Sequence, residues 1–65
     1  MKLWIARDSD NTLWFYQYKP KVREGKLGKK YWCSIGDYWE IDEELFSSVT
    51  FKNSPQQVEI KLIKV

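Results

Sequence analysis

Residues 1–18 read MKLWIARDSDNTLWFYQY, in which two strand-like segments flank a polar turn. The segment Met1 to Ala6 alternates with the period of a β-strand, and Leu3 and Ile5 share one side of it. Residues 12–18 (TLWFYQY) are β-branched and aromatic, a composition that favours strands. The two segments therefore predict an antiparallel β-hairpin across the turn RDSDN.

The rest of the chain must pack around this hairpin without covalent help. The sequence has 65 residues, which is enough for one core, so we expect a single domain over residues 1–65. One cysteine, Cys33, and no histidine are present, so neither an internal disulfide nor a histidine metal clip is available. Stability must come from packing, for which the chain has four Trp, four Tyr and three Phe.

A lone cysteine would be unusual in a secreted protein, and the opening MKLWIARD also bears on the location of the chain. The opening lacks the apolar run and small-residue cleavage site of a signal peptide. The apolar stretches are far shorter than the roughly 20 residues needed to cross a bilayer. We therefore expect a cytoplasmic protein that does not enter the membrane.

The middle of the chain predicts one loop and a second hairpin. Residues 19–30 (KPKVREGKLGKK) contain Pro20 and two glycines without an apolar rhythm, which predicts an exposed loop or an irregular hairpin tip. Two short strand-like runs, Tyr31 to Ser34 and Tyr38 to Ile41, flank Ile35-Gly36-Asp37. A glycine there can adopt positive φ in a tight turn, so these runs predict a hairpin.

The last third predicts a helical turn and a final strand. Asp42 precedes two glutamates, a pattern typical of a helix N-cap, and we expect a short helix or 3₁₀ turn as far as Ser47. Residues 49–51 predict a brief strand. The clearest strand is 58–65 (VEIKLIKV), whose alternation slips at Leu62-Ile63 and indicates a bulge or a strand end.

This element order predicts a mainly β fold with one short helical turn. A small five-stranded barrel, or a curved antiparallel meander, is the economical architecture, and the order of elements best fits an SH3-like barrel. Fold alone carries no functional inference.

Both ends of the chain resemble a known group of proteins. The opening MKLWIARD and the stretch Leu45 to Leu62 (LFSSVTFKNSPQQVEIKL) are similar to short uncharacterised proteins of gut Bacteroidetes and their mobile elements. The resemblance implies a bacterial, cytoplasmic origin and an accessory role. That group has no assigned activity or binding residues, so no residue role is carried over.

The residue types argue against an enzyme. Without histidine, the ordinary general base and the commonest metal ligand are missing. Cys33 lies in a strand pattern and is interpreted as a packed or edge thiol. Five carboxylates between Asp37 and Glu44 match no calcium-loop spacing and are interpreted as a solvated acidic turn. We expect no catalytic residue, no metal ligand and no cofactor.

Basic residues concentrate in the predicted loop. Residues 19–30 carry a charge of +5 and the remaining residues −3. Lysine and arginine can meet phosphates while neighbouring rings stack on bases, so a nucleic-acid-binding module is one functional alternative, against a loop that is simply solvated. The residues of this candidate site are Lys19, Lys21, Arg23, Lys26, Lys29 and Lys30.

The aromatic residues of the first hairpin suggest another function. The predicted core stripe consists of Leu3, Ile5, Leu13, Phe15, Val58, Ile60 and Leu62. Strand alternation then sends Trp4, Trp14, Tyr16 and Tyr18 to the opposite face. This second apolar face is either wrapped by the acidic turn and loops of the same chain or left for a partner. The leading hypothesis is a protein-binding or adaptor domain that uses this face, with homodimerisation as one form of the contact.

Overall fold

Six short strands and one 3₁₀ turn are the regular elements of the fold in a computed structural model, which describes residues 2–59 and 61. The strands are β1 (Lys2–Arg7), β2 (Leu13–Tyr16), β3 (Lys21–Glu24), β4 (Lys30–Cys33), β5 (Tyr38–Ile41) and β6 (Gln56–Glu59), and a 3₁₀ turn spans Lys26–Gly28. The prediction of a mainly β fold is confirmed. The described chain contains no helix with the length and apolarity that a membrane span requires.

Four strands form one antiparallel sheet in the order β5-β2-β1-β6. The predicted first hairpin is confirmed, with Ile5 opposite Phe15. Its turn is closed by a hydrogen bond of 2.8 Å from the backbone N–H of Asp8 to the carbonyl oxygen of Thr12. Strand β1 therefore lies at the centre of the sheet, between its hairpin partner β2 and the late strand β6.

The basic segment is a β-hairpin rather than a loop. Strands β3 and β4 pair antiparallel in a separate two-stranded sheet, with Val22 opposite Trp32. Of the two forms predicted for residues 19–30, the exposed loop is therefore wrong for Lys21–Glu24, whereas the irregular hairpin tip agrees with the structure. Lysine and glutamate are weak strand formers, but cross-strand pairing with the aromatic strand β4 outweighs that preference. The tip keeps the expected irregularity, since Leu27 and Gly28 both have positive φ.

The predicted second hairpin does not form. Strand β4 pairs with β3, whereas β5 pairs with β2, so residues 34–37 connect two sheets. Gly36 is not among the residues with positive φ. A Cβ at this position would overlap the ring of Tyr18, so glycine is needed here for close approach.

The acidic segment turns without forming a helix. The carboxylate of Asp42 accepts a hydrogen bond from the backbone N–H of Glu44 at 2.9 Å, as a helix cap would. The chain then leaves helical geometry at Phe46, whose φ is 51°. The carbonyls of this turn accept hydrogen bonds from Arg7 instead of continuing a helix. The brief strand predicted over residues 49–51 is likewise absent from the described chain.

One face of the four-stranded sheet carries the core. Ile5, Leu13 and Val49 are its buried centre, and Phe15, Ile41 and Val58 pack against them. Burying each such aliphatic side chain contributes about 1.5–3 kcal/mol. Leu3 is buried as well, so the described members of the predicted core stripe are confirmed. Ile60, Leu62 and the predicted slip at Ile63 lie outside the described residues.

Closure into a barrel is not confirmed. Between residues 2 and 59, no strand pairing joins the two-stranded sheet to the four-stranded sheet. Side chains rather than strand hydrogen bonds connect them, and these contacts form the candidate site.

Candidate functional site: an aromatic cleft beside a basic cavity

The face opposite the core is aromatic, as the alternation of β1 and β2 predicts. Trp4 lies opposite Tyr16 in the register, and Trp14 lies opposite Ala6. Tyr16 in turn lies opposite Tyr38, so the aromatic face continues onto the edge strand β5. Trp4 and Trp14 are diagonal neighbours rather than directly paired.

The β3–β4 hairpin covers part of this aromatic face through Trp32. The backbone N–H of Trp32 donates to Oδ1 of Asp8 at 3.0 Å, and its indole N–H donates to the carbonyl oxygen of Arg7 at 3.1 Å. Its ring packs on Phe51, with centroids 5.9 Å apart. The segment that wraps the aromatic face is thus the basic hairpin, whereas the acidic turn packs on the core side, where Phe46 meets Phe15.

A cleft remains between the sheet and the hairpin, with a cavity volume of about 280 Å³. The residues that line this aromatic cleft are Asp8, Trp14, Tyr16, Tyr31, Trp32, Cys33, Ser34 and Tyr38. Tyr16 is only 2% exposed, whereas Tyr31 and Tyr38 are 43% and 59% exposed. The cleft therefore has a buried aromatic wall and two exposed tyrosines at its rim.

Ring contacts hold the sheet side of the cleft in place. Tyr38 packs edge-on against Trp14, with centroids 5.7 Å apart, and stacks on Tyr16 at 6.0 Å. The indole N–H of Trp14 donates to Oγ1 of Thr12 at 3.0 Å. Such contacts fix ring orientation before any partner arrives, which lowers the entropy cost of binding.

Asp8 gives the cleft its charge. It is the one charged side chain among the described lining residues. Burial raises the pKa of its carboxyl above the ordinary value of 3.8, the hydrogen bond from the Trp32 backbone opposes this, and the nearby charge of Asp10 adds to it. Burial likewise raises the pKa of the Tyr16 phenol, and its hydroxyl therefore stays protonated. This hydroxyl donates to the carbonyl oxygen of Trp32 at 3.5 Å.

The four predicted partner-binding residues do not lie together on one surface. Trp14 and Tyr16 line the aromatic cleft, and Tyr16 is buried in its wall rather than exposed. Trp4 is half-buried, and Nζ of Lys19 lies 5.4 Å from the centroid of its ring. Tyr18 is exposed and lines a different cavity.

That second cavity, of about 330 Å³, collects half of the predicted basic residues. We call it the basic cavity, and its lining residues are Tyr18, Lys19, Lys21, Arg23, Cys33, Ser34 and Ile35. Lys29 and Lys30 instead line a separate depression with Asp8 and Asp10, and Lys26 is in the hairpin tip. The six basic residues therefore do not form a single surface.

Arg7 is a buried residue beside the site that was not predicted from the sequence. Arg7 is only 7% exposed, and its guanidinium donates five hydrogen bonds of 2.6–3.4 Å to backbone carbonyls. The acceptors are the carbonyl oxygens of Val49, Asn11, Glu43, Leu45 and Phe46. One signal was available, because Arg7 continues the core-side alternation of Leu3 and Ile5.

Possible metal ligands do not cluster among the described residues, and the thiol of Cys33 lies at the surface. Across residues 2–59 and 61, no three His, Cys, Asp or Glu side chains converge to hold a metal ion. Cys33 is exposed and borders both the aromatic cleft and the basic cavity, so it is an edge thiol.

No protein-family model, curated protein or solved structure matches this chain. The resemblance of both chain ends to Bacteroidetes proteins stays a prediction.

Proposed function

We propose that this chain is a non-enzymatic protein-binding or adaptor domain whose contact surface is the aromatic cleft and its rim. The observation that carries the proposal is the convergence of Trp14, Tyr16, Tyr31, Trp32 and Tyr38 on one cleft. Tryptophan and tyrosine are enriched at protein interfaces, where a few anchored rings carry most of the binding energy.

Homodimerisation is one form of this contact, and strand β5 supports it. In the described sheet β5 is an edge strand, paired on one side only with β2. Tyr38 and Trp39 are both exposed on it, one on each face. An exposed edge with apolar side chains favours pairing with another strand, and two copies of β5 would meet in a symmetric contact.

The test compares two exposed positions of the same hairpin. Tyr31 lines the aromatic cleft, whereas Leu27 is 96% exposed at the hairpin tip and lies outside the cleft. Tyr31→Ala should weaken self-association, or crosslinking to a partner, and Leu27→Ala should not. Equal behaviour of the two variants, with thermal midpoints unchanged, would contradict the proposal.

Nucleic-acid binding is the second candidate, and the basic cavity favours it. Three basic side chains and the exposed ring of Tyr18 surround one cavity. Phosphates would bind Lys19, Lys21 and Arg23 while a base stacks on the ring, as in single-strand binders.

The nucleic-acid test changes charge inside and outside the basic cavity. Lys21→Glu with Arg23→Glu should abolish binding to single-stranded DNA or RNA, whereas Lys26→Glu with Lys29→Glu should only weaken it. Affinity should fall linearly with salt on logarithmic axes. Absence of binding by the wild type at low salt would remove this candidate.

The finer features of the fold and setting are also proposals. A small closed barrel with SH3-like order, a cytoplasmic location and a bacterial origin stay predictions. The hydrogen bonds of Trp32 to Arg7 and Asp8 support a wrapped arrangement, because they hold the β3–β4 hairpin against the end of strand β1 in the four-stranded sheet.

A further inference from the structure

We propose that the aromatic cleft binds the methylated ammonium group of a lysine side chain on the protein partner. This inference rests on the proposed protein-binding function and names the chemical group that the cleft would take. The charge, the hydrogen bonding and the size of the cleft each support this proposal.

The charge of the cleft suits a cation. Aromatic faces carry a negative quadrupole, and cages of aromatic rings recognise quaternary ammonium groups. Five aromatic side chains line the cleft together with the carboxylate of Asp8. Lys29 and Lys30 lie in the depression on the other side of Asp8, where Asp10 offsets part of their charge. A cation entering the cleft therefore meets rings and a carboxylate.

The hydrogen bonding of the cleft favours a methylated cation over a plain ammonium. An unmodified lysine carries three N–H donors and a tightly held water shell, which the site would have to replace. In the cleft, Oδ1 of Asp8 already accepts from the Trp32 backbone, and five of the eight lining side chains are aromatic, so few oxygen acceptors remain for three N–H donors. A trimethylammonium group has no N–H donor and is weakly hydrated, so rings can surround it without a hydrogen-bond deficit.

The size of the cleft limits the ligand to a headgroup. Its volume of about 280 Å³ is just below the range of roughly 300–1,000 Å³ that holds drug-sized molecules. The exposed rim tyrosines, Tyr31 and Tyr38, would then pack along the aliphatic stem that carries the cation. A lysine side chain has this form, with a small charged head on a four-carbon stem.

The experiment is a nuclear magnetic resonance titration followed at the indole N–H groups. Trp14 and Trp32 line the cleft, whereas Trp4 and Trp39 do not, so the chain contains its own control signals. The probes are a trimethyllysine peptide, the same peptide with lysine or with arginine, choline, and the neutral carbon isostere of choline. We expect the trimethyllysine peptide to shift the Trp14 and Trp32 signals saturably, with a dissociation constant of about 1 mM or below.

Two pairs of variants separate recognition from folding. Tyr38 and Trp39 are adjacent and exposed, but only Tyr38 lines the cleft. Tyr38→Ala should weaken binding by about tenfold, and Trp39→Ala should leave it unchanged. Asp8→Asn keeps a hydrogen-bond acceptor for Trp32 and removes the charge, so it should also weaken binding, whereas Asp37→Asn outside the cleft should not.

Several outcomes would overturn the inference. Absence of any shift with the trimethyllysine peptide, equal binding of the neutral isostere, or equal or tighter binding of the lysine or arginine peptide would each do so. Binding of choline without binding of the peptide would overturn the protein-borne source. If none of the cations binds while Tyr31→Ala still abolishes self-association or crosslinking, this inference fails and the proposed function stands. Binding of the cations without any self-association or crosslinking to a partner would contradict the proposed function, although the cleft would still be a cation site.

Discussion

Trp32 donates its indole N–H to the carbonyl oxygen of Arg7, at 3.1 Å, and so fastens the β3–β4 hairpin to the end of strand β1. The guanidinium of the same arginine donates to carbonyls of the acidic turn and of Val49 on the core side. The aromatic cleft and the core are therefore linked through one residue. Replacement of Arg7 should therefore disturb packing on both faces of the sheet.

We expect Arg7→Lys to destabilise the fold severely. Lysine has one donor nitrogen and cannot reach five carbonyls, so buried acceptors would be left unpaired. The expected loss is about 3 kcal/mol or more of the free energy of unfolding, as much as a domain of this size commonly has. Urea unfolding followed by tryptophan fluorescence measures it. Arg23→Lys on the exposed strand β3 is the matched control and should shift the free energy by less than about 0.5 kcal/mol. Equal midpoints for the two variants would contradict this role of Arg7.

Core and cleft substitutions should have separable effects. Ile5 is fully buried in the core cluster, so Ile5→Ala should cost about 2–5 kcal/mol of stability. Trp14 is half-buried in the cleft, and Trp14→Ala should mainly reduce partner capture or self-association. Light scattering, with tryptophan quenching by a neutral solute, measures assembly and exposure together. A strictly monomeric wild type whose tryptophans all resist quenching would remove the support for a contact surface.

The sequence predicts the first hairpin and its two faces because period-2 alternation acts locally. Leu3, Ile5 and Leu13 are buried on one side, and Trp14 lies on the other, as the pattern requires. Strand pairing beyond the hairpin depends on contacts distant in the chain. Strand β5 pairs with β2 rather than with its sequence neighbour β4, and no local pattern distinguishes these partners.

The cleft shows the same limit of prediction. Alternation identifies Trp14 and Tyr16 as residues of an apolar face, but the opposite wall comes from Tyr31 and Trp32, whose position depends on how the hairpin docks. That docking uses hydrogen bonds to Asp8 and to the Arg7 backbone, and backbone acceptors have no signature in the sequence. The short helix or 3₁₀ turn predicted from Asp42 to Ser47 is wrong for a related reason, because Arg7 donates to the carbonyls that a helix would have used.

Cys33 should contribute little to stability. It is the single cysteine and is exposed, so no disulfide can form within the monomer. Thermal midpoints should be the same with and without reductant, and Cys33→Ser should change the free energy of unfolding by less than about 0.5 kcal/mol. A large effect of reductant on the monomer would show that the thiol has a structural role that its exposure does not suggest.

Asp8 should make the stability depend on pH with a defined sign. Its pKa is raised in the fold mainly by burial, so the folded chain holds the Asp8 proton more tightly than the unfolded chain does. Protonation therefore stabilises the fold; this contribution is fully present below the ordinary pKa of 3.8 and is lost as pH rises through the raised pKa. The pKa of Asp10 is lowered by hydrogen bonds from Thr12, so its effect on stability has the opposite sign and overlaps with that of Asp8 in any single titration.

The difference between the wild type and Asp8→Asn isolates Asp8, because Asp10 is present in both. We expect the wild type to gain stability relative to Asp8→Asn between about pH 7 and about pH 4, measured as urea midpoints. A constant difference, or a relative loss by the wild type on acidification, would show that the Asp8 carboxylate is not desolvated in the cleft.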